Sequence, residues 1–167
     1  MRLFNIIFIL LVFASSQSFA QTPVEYNNKL ADVIVNLYNK GQAWGNKLAE
    51  LDTTSKDYAK LTPIRKNIEH YIDSEIIVVK KMKDVAGSEK YREAIVTFLK
   101  SESDMIKKAF IPFEKLNSAS TDTEVKTVID GLTAASKGEA EHLQAVTAAQ
   151  KEYADKNGFK IEVPASN

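Results

Sequence analysis

Four long runs of this chain set their apolar side chains three or four positions apart, and none alternates with the period of two that a half-buried strand shows. The first run carries Tyr26, Leu30, Val33, Leu37, Trp44, Leu48 and Leu51 before the polar stretch at 52–57 interrupts it. The second carries Leu61, Ile64, Ile68, Ile72, Ile76, Val79 and Met82, and the third Tyr91, Ile95, Phe98, Leu99, Ile106, Phe110 and Phe113. The fourth runs through Val125, Val128, Leu132, Leu143, Val146 and Tyr153. A chain built this way must bury four helical stripes against one another.

The ends of the runs are written in local chemistry. Thr22-Pro23-Val24-Glu25 is a capping box with proline at the first helical position, and Thr121-Asp122-Thr123-Glu124 is a second box. Thr62-Pro63 is either the cap and first turn of helix two or a kink in a helix that begins near Lys56. Helix two is expected to reach Ala86, with Gly87-Ser88 closing it and capping helix three. Pro112 should bend or end helix three late. Asn157-Gly158 is the stop for helix four, with Phe159 packing back. Short connections favour antiparallel neighbours, so the expected fold is all-α, an up-down-up-down four-helix bundle over residues 21–158 with a loose tail at 159–167. Gly41 and Gly45 form a Gly-x-x-x-Gly, which in such a helix either admits a close neighbour or weakens the local turn.

Residues 1–20 read as a secretory signal peptide: Arg2, an apolar run from Leu3 to Phe13, and Ser18-Phe19-Ala20 ahead of a cleavage point. That run is too short for a bilayer span, which needs about 20 apolar residues. No transmembrane helix is expected after cleavage. Export permits disulfides, but the chain has no cysteine, so its core must stabilise it unaided. Removing Arg2 with the leader leaves 21 cations against 22 anions. That balance argues against a nucleic-acid partner.

Three stretches, "YNNKL" at 26–30, "KYREAIVTFLK" at 90–100 and "AAQKEYADKNGF" at 148–159, together resemble a family of small exported helical surface proteins from Bacteroidetes and spirochaetes. The likeness spans roughly residues 26 to 162. It implies a signal peptide, a helical fold and a place in the periplasm, on the cell surface or outside the cell. It implies no activity and no site residues.

Catalytic motifs are missing. There is no nucleophile elbow, no phosphate-cradling glycine loop and no His-Glu-x-x-His, and the chain has two histidines. Taking about 100° per residue, His70 falls about 200° from the centre of helix two's stripe, on the wet face. His142 falls about 80° from the centre of helix four's, at its edge.

Three glutamates behave differently. Glu75, Glu102 and Glu139 each fall about 20° from the centre of an apolar stripe, on three different helices. Counting back from the turns at 1.5 Å per residue puts them at about one level. Like charges gathered in an interior need neutralising by protons, cations, hydrogen bonds or water. Glu139-x-x-His142 has the spacing with which bundles hold metal pairs, but such centres use four glutamates and two histidines. The layer is therefore expected to be a polar layer without a cofactor, satisfied by neighbours such as His142, Tyr71 or Gln150. The alternative is a site for a small ligand or a divalent metal ion. The function expected from the sequence is a structural, adhesive or partner-binding role in the envelope or outside the cell, without catalysis.

Overall fold

The computed structural model describes residues 21–51 and 57–161. The expected leader at 1–20 and the end of the tail at 162–167 lie outside the described residues. Helix α1 spans Pro23–Glu50; a 3-10 turn at Tyr58–Leu61 leads into α2, Thr62–Lys81. Helix α3 spans Glu89–Met105 and continues through π-helical Ile106–Phe110 into a last α turn, Ile111–Glu114; α4 spans Asp122–Asn157. No strand occurs among the described residues. Polar contacts show the antiparallel order: Lys40 with Asn67 between α1 and α2, Arg65 with Glu114 between α2 and α3, Lys90 with Glu152 between α3 and α4. The fold is the expected up-down-up-down bundle.

Both capping boxes are present, each threonine accepting from its N3 backbone while the N3 glutamate accepts from the cap. Gly158 takes the left-handed conformation at φ 70°, and Phe159 returns to Tyr153, with ring centroids 5.8 Å apart. Other expected ends are corrected in part. Thr62 is the first residue of α2 rather than its cap, and its hydroxyl donates to Glu114 at 2.8 Å. Helix α2 stops at Lys81, not Ala86, because Met82 turns extended at ψ 131° and Arg92 donates to its carbonyl. Ser88 is the N-cap of α3, as expected, its carbonyl accepting from Arg92 N–H at 2.9 Å, but its hydroxyl makes no cap bond; it accepts from Val85 N–H and donates to Asp84. Residues 82–88 form a loop instead, clamped by Tyr153 donating to Val85 and Asn157 donating to Ala86. The helical run ends at Glu114, two residues after Pro112, in line with a late end. The π turn ahead of Pro112 resets the hydrogen-bond ladder, and the proline sits in the first turn of the last α segment, where its missing N–H costs least.

Tyr26, Leu30, Leu61, Ile72, Val79, Tyr91, Ile95, Leu99 and Ile106 are almost fully buried and form the core. The helices do not share it equally. Helix α4 packs extensively on α3 and only thinly on α1, and it makes no substantial contact with α2. Its buried residues are Val146, Ala149, Tyr153 and Ala154, all in its second half. Val125, Val128 and Leu132, expected in the core, are half-buried, and Leu143 is exposed. The bundle is closed at the end where Asn27 meets Gln150 at 3.0 Å and Tyr26 meets Tyr153. Farther along, the seam between α1 and α4 is open.

Candidate functional site

The open seam holds a cavity of about 350 Å³. Helix α1 supplies Ile34, Leu37, Tyr38 and Trp44; α3 and its π turn supply Phe98, Glu102, Ile106 and Phe110; α4 supplies Leu132, Ser136, Glu139 and Leu143. The helical period explains the shared wall. Phe98, Glu102 and Met105 follow one another at spacings of four and three, as do Leu132, Ser136, Glu139 and Leu143, so each set lies on one helix face. Trp44 is 4% exposed and stacked on Phe110, with centroids 4.2 Å apart and planes 14° off parallel.

Glu102 is 6% exposed, and its Oε1 atom has no hydrogen-bond partner among the described residues. The same holds for Trp44 Nε1, so two residues lining one cavity each carry an unmatched buried polar atom. Burial pushes the Glu102 carboxyl up to about 8, and the nearby Glu139 charge pushes in the same direction. Burial also raises Glu139. At neutral pH Glu102 is therefore mostly protonated. A smaller hollow of about 210 Å³ lies on the other side of the same pair, lined by Glu102, Glu139, His142, Asp104, Lys108 and Ser101.

Of the four residues singled out by phase and spacing, the structure brings together Glu102, Glu139 and His142. Glu75 stands apart. It is half-buried, lines neither cavity, and contributes nothing to the shift of Glu102. Its charge instead acts on Tyr71, one turn earlier, whose phenol is pushed up to about 12 by burial first and Glu75 second. The expected three-carboxylate layer is a pair. The physical reason is the placement of α4, which leans on α3 and leaves Glu75 of α2 without a fourth helix to cover it. Nor do the expected neighbours satisfy the pair: Tyr71 donates to Val33 carbonyl at 3.1 Å and Gln150 donates to Asn27 at 3.0 Å. Among the described residues no three His, Cys, Asp or Glu side chains are grouped to hold a metal ion.

Sequence reasoning missed Trp44 as a site residue, since a tryptophan within an apolar stripe reads as core. It also missed the buried ion pair of Arg65 with Glu114, joined at 2.8 Å. A larger groove between α1 and α2 mixes polar Asn36, Asn39 and Asn67 with apolar Ala43, Pro63 and Ile64, and Lys40 there already donates to Asn67. No family model, curated protein or solved structure matches the chain. Its likeness to small exported helical proteins thus rests on the three sequence stretches alone.

Proposed function

We propose that this is an exported, non-catalytic binding protein that takes its ligand into the seam between α1 and α4. One observation carries the reading: of the four buried side-chain polar atoms without a partner among the described residues, two, Glu102 Oε1 and Trp44 Nε1, belong to residues that line this one apolar cavity, the others being Tyr26 Oη and Glu114 Oε1. Buried polar groups in native proteins are nearly always paired, and each exception needs a cause. A ligand is such a cause, and about 350 Å³ falls in the range of small-molecule sites. Export is supported by the leader pattern. The surroundings of His142 support binding over catalysis. Ser101, the hydroxyl that lines its hollow, donates to Phe98 carbonyl at 2.7 Å and so is not held by the imidazole as a nucleophile.

Trp44 is the only tryptophan of the chain, so its emission reports on this cavity. Titration with the neutral apolar dye N-phenyl-1-naphthylamine should give saturable energy transfer from Trp44. Ser136→Leu, which fills the cavity from α4, should weaken it severalfold. Absence of saturable transfer, or transfer indifferent to Ser136→Leu, would remove the seam as a binding site.

A further inference from the structure

We infer that the seam cavity is built for a small organic amine, its ammonium set against Glu102 and Glu139 and its apolar body lying along Trp44, Phe98 and Phe110. This rests on the binding reading above and adds the chemical class of the ligand. The lining carries two carboxyls and no lysine, arginine or histidine. The cation of the adjoining hollow, Lys108, lies 3.6 Å from Asp104 and is already paired. Glu102 Oε1 thus needs a donor that the described residues do not supply, and a positive one suits a pair of acids best. The rest of the wall is aromatic and aliphatic. Stacked Trp44 and Phe110, with Phe98 and Tyr38, offer ring faces that attract cations and apolar surface for a hydrocarbon body.

Other ligand classes fit less well. A fatty acid would bring a third carboxylate to the pair. A neutral alcohol could bond to Glu102 but would leave the acid pair without a countercharge. A hard divalent ion asks for six or more oxygen ligands, and two carboxyls in an apolar wall fall short of that set.

Amine binding should be linked to protons. The ammonium favours the carboxylate, so binding drives the Glu102 proton into solvent. The other titratable groups on the two cavity walls that Glu102 shares are Glu139 and His142 from α4, Asp104 and Lys108 on its own helix and Tyr38 from α1, while α2 presents the apolar Ile68; of these Glu139 acts on the Glu102 carboxyl. Loss of the Glu102 proton should tighten amine binding as pH rises from 6 to 9 and leave alcohol binding unchanged.

The test is displacement of N-phenyl-1-naphthylamine from the full mature chain by octylammonium, octanol and octanoate, compared at equal concentration. Octylammonium should bind roughly tenfold tighter than octanol at pH 8, with octanoate weakest. Glu102→Gln should erase the preference and its pH dependence while octanol binds as before, which also shows that the variant is folded. Equal binding of octylammonium and octanol would overturn the amine and leave the apolar site standing. Selectivity that survives both Glu102→Gln and Glu139→Gln would overturn it too, as would zinc ion displacing octylammonium from the carboxyls. Failure of the dye itself to bind would remove the seam site and the amine together.

Discussion

Glu102 and Glu114 are both less than a tenth exposed and each has an Oε1 without a partner among the described residues, yet only Glu114 has a cation beside it. Glu114 accepts from the Arg65 guanidinium and from the Thr62 hydroxyl, each at 2.8 Å. Burial alone would lower the affinity of Arg65 for its proton, but Glu114 and Glu69 outweigh it and hold the guanidinium charged. Glu102 has no cation in its cavity and escapes by keeping its proton. The sign of the stability effect follows. In the unfolded chain the carboxyl ionises in the ordinary range; folded, it holds its proton up to about 8. Between those limits the folded state binds more protons, so stability is fullest below the ordinary range and falls as pH rises toward 8. Glu102→Gln removes the titrating group and keeps its shape. Urea unfolding should find the variant equal to the parent at pH 5 and more stable by roughly 1–3 kcal/mol at pH 9, the cost of one unsatisfied buried group. Parallel pH profiles for the two proteins would show that Glu102 is already satisfied.

At the scale of the element, the glycines separate two kinds of position. Gly45 lies inside α1, and a methyl placed there meets no atom within 4 Å. Gly45→Ala should therefore stabilise the protein by about 0.5–1 kcal/mol through helix propensity alone. Gly87, in the α2–α3 loop, has φ +79°, and a methyl there would run into the Lys156 side chain. Gly87→Ala should cost more than about 1 kcal/mol. Thermal melting of the two variants should move in opposite directions. The open space around Gly41 and Gly45 also decides between the two sequence readings of that motif: among the described residues no helix approaches closely there. What was legible at this scale was local. Thr22 and Thr121 could be read as caps because their partners lie three residues away. Thr62 and Ser88 have the same chemistry and mark the starts of α2 and α3, but their hydroxyls cap neither helix. The hydroxyl of Thr62 serves a glutamate 52 positions on, and that of Ser88 is spent inside a loop whose clamp comes from α4.

For the whole molecule, the helical period foretold the bundle and the inward turn of Glu102 and Glu139, because phase is a property of one helix. It could not foretell which stripes would be covered. Glu75 has the same phase as Glu102, yet the lean of α4 onto α3 covers one and not the other. The same lean leaves Leu143 exposed and opens the α1–α4 seam, and that opening places Glu102 and Glu139 on the wall of a cavity. The central claim is that Glu102 is buried at an apolar cavity without a partner among the described residues. Carbon-13 NMR of the glutamate side-chain carboxyls, followed from pH 3 to pH 10, tests it most directly. The Glu102 resonance should titrate with a midpoint at about 8, well above the exposed glutamates of the same chain. A Glu102 midpoint within the ordinary carboxylate range would mean that water or a cation already reaches it, and the seam would then be a wet cleft with no call for a ligand.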